Sequence, residues 1–364
     1  MTTIPQSPEE ITCEWLNDAL GAEGILDGTE ITEFTLETVG DGQGFLSALV
    51  RITPTYEGGH DGLPATMIAK FPSKDVNERE TGDALGAYAR ESGFYRNCAS
   101  ESPGHPPRHY HSISNPGTDE HLIVIEDLGS ARFVSQLGGV GHDDAMHIMR
   151  ALAQVHAHYW ERPIPNEAQW LPAYAEFAKI FPREFETGAP QLVANWSYCT
   201  PKTVLDRLDA GNAAYPAVVH RLSEGPSTLV HCDPRIDNVA FAAGPHGDTV
   251  RLFDWQLASR GPAAYDVMYF MTQSLEPTVR RARQSELLGA YHDELVANGV
   301  ADYSRERLED DIGLATCTLW GFLSLIGNIV FPDEKGKEIA ERTLPRFYSM
   351  MEDFDAASRL REFV

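Results

Sequence analysis

The stretch from His231 to Asp266 constrains this chain more than any other. It reads HCDPRIDNVAF, a short turn, and then LFDWQLASRGPAAYD. Thr228-Leu229-Val230 before it reads as the end of a short buried strand. Gly244-Pro245-His246-Gly247-Asp248 is a turn by composition, so Val239–Ala242 and Val250–Phe253 read as the strands of a hairpin. Such a hairpin would carry Asn238 and Asp254 to neighbouring positions at its strand ends. A carboxamide and a carboxylate are hard oxygen ligands, suited to Mg²⁺ with its retained waters and nucleotide phosphates. Asp233, five residues before Asn238, would then lie beside the metal, placed to take a proton from an attacking hydroxyl. The order Asp, Asn, later Asp is that of a phosphoryl-transfer site. The plainer alternative, Asp and Asn capping turns, loses ground once the rest of the chain is considered.

His231-Cys232-Asp233-Pro234-Arg235-Ile236-Asp237-Asn238, followed by Asp254-Trp255-Gln256, resembles the aminoglycoside phosphotransferase and choline kinase-like superfamily, in particular its ecdysteroid-kinase-like and other small-molecule kinase branches. The resemblance implies an α+β, bilobal protein-kinase-like fold. A small N-terminal antiparallel-sheet lobe would bind nucleotide over residues 1–128. A larger, mainly helical lobe over residues 129–364 would carry catalysis and the acceptor. Two departures stand out: Gln256 where the family often has Glu, and Cys232 where Gly is frequent.

At 364 residues the chain suits two lobes, and 42% hydrophobic content supports a full core. With 29 basic against 54 acidic residues, the net charge of −25 makes nucleic acid and anionic membrane poor partners. Five scattered cysteines without Cys-x-x-Cys spacing suit a reducing cytoplasm. Met1–Ser7 lacks the basic start and apolar run of a secretory signal. Ile312–Phe331 is uncharged and about as long as a membrane span. Its glycines, threonines and Asn328, and the acidic Glu309-Asp310-Asp311 before it, favour a buried helix pair instead.

The earlier parts of the chain fit the same plan. Ser7-Pro8-Glu9-Glu10 starts a helix over residues 8–20, and Ile31–Val39 and Ala48–Ile52 read as strands. Between those strands, Gly40–Ser47 reads on its own as a plain hairpin turn, and as part of the same plan as a glycine turn that approaches phosphate oxygens through Gly42, Gly44 and Ser47. Thr66–Pro72 reads as a strand with Lys70 inside it, and a lysine there needs a carboxylate or phosphate partner. In kinase-type lobes that lysine holds the nucleotide phosphates and pairs with a glutamate on the next helix. Here that helix is Ala84–Cys98, with Glu91 on it and Glu78 and Glu80 as alternatives. His105, His109 and His111 invite a metal reading, but a strand from Arg108 to Ile113 explains them better. Leu122–Ile125 is a strand ending at Glu126-Asp127-Leu128-Gly129. By the resemblance, the backbone of Glu126 and Leu128 would face the nucleotide base.

Asp143–Trp160 has the 3–4 residue spacing of an amphipathic helix, with His156 assigned to packing. The long segment before His231 is rich in aromatics (Trp170, Tyr174, Phe177, Phe181, Phe185), which suit core or an acceptor wall. Beyond Asp266 helices are expected over 267–274, 286–298, 310–330 and 338–360. The expectation is an Mg²⁺-dependent kinase taking ATP or GTP as co-substrate and a small-molecule hydroxyl as acceptor. Its parts are Asp233 as base, Asn238 and Asp254 on the metal, and Gly42, Gly44, Ser47, Lys70, Glu91, Glu126 and Leu128 on the nucleotide. A nucleotide-binding regulatory protein without the chemistry is the rival. The acceptor, the choice of ATP or GTP and the oligomeric state are left open.

Overall fold

The computed structural model describes residues 4–40, 46–59, 62–115, 118, 120–244, 248–329 and 334–364. They form two compact units. The first comprises residues 1–132 with two later segments, 164–171 and 242–257; the second comprises 133–163, 172–241 and 258–364.

A five-stranded antiparallel sheet organises the first unit. Its strands are β1 (Ile31–Val39), β2 (Ser47–Tyr56), β3 (Met67–Pro72), β4 (His109–Ser114) and β5 (His121–Glu126), in the order β1-β2-β3-β5-β4. Alternation on β3 sends Met67, Ala69 and Phe71 into the core with Val50, Ile52, Leu122 and Val124. Period two then turns Lys70 to the opposite face. Helix α1 (Cys13–Ala22) closes the core side with Trp15, Leu16 and Leu20.

Two helices of the first unit differ from expectation. The Pro8–Glu10 segment is a separate 3₁₀ turn, and α1 begins five residues later, where Thr12 accepts the Trp15 N–H at 3.1 Å. The helix expected over Ala84–Cys98 is divided into α2 (Val76–Ala84), capped by Asp75, and α3 (Ala87–Asn97). Gly86 separates them at φ +64°, a conformation open to glycine at little cost. Helix α3 buries Ala87, Arg90, Glu91, Phe94 and Tyr95 and packs on β4 and β5. His109 bonds Ser112 and His111 bonds Glu23, so both histidines serve this unit's packing.

The second unit is helical. Its helix α4 (His142–Tyr159) turns Ile148, Met149, Leu152, Val155 and His156 inward. The apolar stretch after Asp311 is two helices, Arg305–Ala315 and Leu319–Asn328, joined by a 3₁₀ turn. Among the described residues no helix is long and apolar enough to cross a membrane. Gly188 and Gly327 explain the close crossing of helices Pro182–Trp196 and Leu319–Asn328: a Cβ on Gly188 would meet the Ser324 carbonyl oxygen at 1.9 Å. The helix Glu334–Asp353 stops before Asp355, which has φ +49°, and a short helix, Ala356–Arg359, follows. The aromatics before His231 are mostly core. Tyr174, Phe177, Phe185 and Trp196 are buried, while Trp170 belongs to the first unit, against Gly93. A two-stranded ladder, Thr228–Val230 with Ser259–Gly261, leads into the His231 loop.

Candidate active site

In the first unit, Lys70 Nζ lies 2.8 Å from Glu91 Oε2 and 2.7 Å from Asp254 Oδ1. The alternatives are otherwise placed: Glu78 accepts the Ser73 hydroxyl at 2.6 Å and Glu80 is exposed. Helix α3 supplies both the carboxylate and the anchor for Asp254. Phe94, one turn after Glu91, stacks on the fully buried Trp255 at 3.9 Å, and Arg90 donates to the Leu257 carbonyl at 3.3 Å. Asp254 itself adopts φ +65°, the left-handed region that Asp tolerates better than most side chains. Burial opposes the charge on Lys70, but Asp254 and then Glu91 outweigh it and hold the ammonium above its ordinary value. Burial pushes the Glu91 carboxyl up to about 7, with Lys70 pulling down and Asp254 pushing up.

Gln256 Nε2 donates to the Ser47 hydroxyl at 2.8 Å. Gln256 therefore ties Ser47, at the start of β2, to the Asp254 segment through a neutral donor. Gly42 and Gly44 lie outside the described residues. At the end of β5, Glu126 donates its N–H to the Arg108 carbonyl (2.8 Å) and pairs its side chain with Arg251 (2.6 Å). The Leu128 carbonyl accepts the Ala131 N–H at 2.8 Å.

In the second unit, the His231–Asn238 loop is held mainly through its backbone. Asp266, fully buried at the start of helix Ala263–Ser274, accepts the N–H groups of His231 (2.6 Å) and Cys232 (2.9 Å). His156 Nε2 donates to the same carboxylate at 3.2 Å, while His156 Nδ1 meets the Tyr291 hydroxyl at 2.7 Å. Donation from Nε2 leaves Nδ1 to accept from that phenol in the neutral ring. Farther along, Ile236 N donates to Ser274 Oγ (2.9 Å) and Gln136 N to Asp237 Oδ1 (3.0 Å). Asn238 Nδ2 donates to the Asp233 carbonyl (2.8 Å) and to Asp233 Oδ2 (3.1 Å). Those donations orient the amide, so its oxygen is the end directed away from Asp233. Burial and then the Asp233 charge hold the Tyr269 phenol well above its ordinary range.

Taken singly, the amide oxygen of Asn238 in the second unit and the partly exposed carboxylate of Asp254 in the first are each of a Mg²⁺ ligand type. Lys70, Glu91 and Asp254 come together as a cluster, as do Asp233 and Asn238. Sequence reasoning missed the hold of Asp266 on the loop, the hydrogen-bonding job of His156 and the Gln256–Ser47 bond. The Val-His-Ala-His string and the position of Asp266 in the first turn of a helix carried no sign of partners 35 and 110 residues away.

Comparison with known proteins follows the same lines. The sequence model of the ecdysteroid kinase-like family matches residues 41–160 and 174–300, well over half of the chain. A search of the curated proteins gave no match. Among solved structures, the chain is similar to an ethanolamine kinase from Plasmodium vivax, at 12% identity and TM-score 0.58, covering 95% of this chain and 91% of that one. A choline kinase from Streptococcus pneumoniae is similar at 14% identity and TM-score 0.51, covering 92% and 98%. A microcompartment-associated aminopropanol kinase is similar at 14% identity and TM-score 0.52, covering 95% and 99%. At these identities the likeness establishes the α+β, kinase-like fold.

Proposed function

The chain belongs to the ecdysteroid kinase-like family, and from that premise we propose that it moves the γ-phosphate of ATP or GTP to a hydroxyl of a small molecule. Residues 1–128 serve nucleotide binding and 129–364 serve catalysis and the acceptor, in a cytoplasmic enzyme. Lys70 binds nucleotide phosphates, with Glu91 orienting it. Gly42, Gly44 and Ser47 line the phosphates, and the backbone of Glu126 and Leu128 meets the base; the carbonyl of Leu128 is already used, which points to its N–H. Asn238 and Asp254 hold Mg²⁺, which when bound neutralises phosphate charge. Asp233 orients the acceptor hydroxyl and takes its proton. The observation that carries the reading is the Lys70–Glu91–Asp254 cluster. A buried ammonium gripped by two carboxylates is costly to keep, and a protein that had lost phosphate chemistry would have little reason to retain it.

A small acceptor is favoured over a protein. Only eleven residues separate Asp254 from Asp266, which is too few for the activation segment on which protein kinases dock a peptide. The test is acceptor-stimulated release of ADP or GDP, with Mg²⁺, across a panel of metabolite alcohols. A chain that binds nucleotide tightly while no alcohol stimulates release would be a regulatory protein instead.

A further inference from the structure

Asp233 carries a cation that the roles above do not use. Arg235 Nη1 lies 3.3 Å from Asp233 Oδ2, the oxygen that also accepts Asn238 Nδ2. The Asp233 side chain is 14% exposed and that of Arg235 is 30% exposed. Arg235 is the sole Lys or Arg between Arg221 and Arg251. Its backbone is pinned, because the next residue, Ile236, donates to Ser274 and begins the Ile236–Asn238 turn. With the backbone held, a change of partner by Arg235 falls to its partly exposed side chain.

The acceptor oxygen must lie ~2.6–3.2 Å from Asp233 and ~3–3.5 Å from the phosphorus it attacks. Phosphoryl oxygens are then within reach of a guanidinium already in contact with the same carboxylate. The planar fork of arginine matches phosphate oxygens in geometry as well as charge.

We propose that Arg235 transfers its contact from Asp233 to the γ-phosphoryl group when a nucleoside triphosphate binds, and so acts as a catalytic residue. This rests on the kinase reading above. In the step itself the acceptor O–H proton passes to Asp233 and the acceptor oxygen bonds to phosphorus. The bond from phosphorus to the β,γ-bridging oxygen breaks, leaving its electron pair on the nucleoside diphosphate. Arg235 neither gains nor loses a proton; it stabilises charge spread over the equatorial oxygens.

The test is calorimetric binding of Mg²⁺ with a non-hydrolysable triphosphate analogue and with the diphosphate, adenine and guanine forms of each, to the full chain and to Arg235→Gln and Arg235→Lys. Arg235→Gln should weaken the triphosphate about 10-fold or more, the worth of one charge-assisted hydrogen bond, and leave the diphosphate within about 2-fold. Arg235→Lys should fall between. Diphosphate affinity in the same sample serves as the control for folding. Equal losses for both nucleotides, or no loss for either, would confine Arg235 to holding Asp233 and overturn the inference. A wild-type chain that binds neither nucleotide would instead overturn the kinase reading beneath it.

Discussion

In the first unit Lys70 is held by two carboxylates that meet it side chain to side chain, from helix α3 and from the segment carrying Trp255. In the second unit Asp233 sits in a loop whose neighbouring N–H groups are gripped by Asp266, Ser274 and their partners. The contrast suits the two tasks. A group that meets charged phosphates can exchange one set of ionic partners for another. A group that must meet one hydroxyl in one geometry needs a backbone that does not move, because proton transfer depends on hydrogen-bond distance. Removing the Lys70 side chain should therefore perturb affinity and stability, and removing the Asp233 carboxylate should perturb turnover.

The largest effect is expected at Asp233. Asp233→Asn keeps the shape of the loop and the Asn238 contact while removing the proton acceptor. Acceptor phosphorylation should fall by about 10²–10⁴-fold, the range for a lost general base, with nucleotide affinity retained. Steady-state kinetics beside direct nucleotide binding separates the two. Near-normal turnover would move the base elsewhere and erase the contrast between the units.

Next comes the charge cluster. Lys70→Ala leaves Glu91, which is 1% exposed, without its cation and beside Asp254. Stability should drop by about 3–5 kcal/mol, the cost of breaking a buried pair from one side. Replacing both Lys70 and Glu91 with apolar residues of similar volume should recover most of that loss, since a paired buried charge contributes little net stability. Urea unfolding of the two single variants and the double variant measures the coupling. Additive losses would mean that the cluster is not a unit.

How far the sequence spoke for itself differs between these regions. The Asp233–Asn238 spacing was legible because both residues lie in one short loop, where chemistry and sequence distance coincide. Lys70 and Glu91 were legible in order, from a strand lysine followed by a helix glutamate, although the boundary between α2 and α3 at Gly86 was not. What stayed hidden were pairings made across long sequence distances by packing. Residues 164–171 and 242–257 fold into the first unit, and nothing in their periodicity marks which core receives them. The Ser47–Gln256 bond spans 209 residues, and Asp266 reads as an ordinary first-turn acid until the loop N–H groups are seen around it. Periodicity identifies a buried face but not the partner that covers it.

A third test addresses that buried acid. Asp266→Ala removes the acceptor of two backbone N–H groups and of His156, all without access to water. Each unsatisfied buried donor costs about 1–3 kcal/mol, so a loss of about 3 kcal/mol or more is expected. Turnover of the fraction that remains folded should fall as well, because the base would no longer be fixed. Asp266→Asn, which keeps one acceptor oxygen, should lose less of both. Full activity in a destabilised Asp266→Ala chain would show that Asp233 does not need the rigid loop, and the contrast between the units would fail at that point.

The smallest effect is the most specific to backbone geometry. Each unit places one functional-segment residue at φ +65°: Asp254 in the first and Cys232 in the second. Asp visits this region with local help from its side chain, whereas Cys has no such help and bears the ordinary steric cost of about 1–2 kcal/mol. Cys232 is buried, so substitution also loses some packing and a simple Cys-to-Gly comparison mixes the two effects. Comparing Cys232→Gly with Cys232→Ala largely removes the packing difference, since both delete the sulfur. At a right-handed position Ala would be the more stable by roughly 0.5–1 kcal/mol. At Cys232 the order should reverse, with Gly ahead by about 1 kcal/mol once the left-handed cost of Ala is set against the greater freedom of unfolded Gly. Chemical denaturation of the two variants reads this directly. If Ala proves equal to Gly or better, the loop does not hold Cys232 in the left-handed region in solution, and the backbone grip attributed to Asp266 is looser than its hydrogen bonds imply.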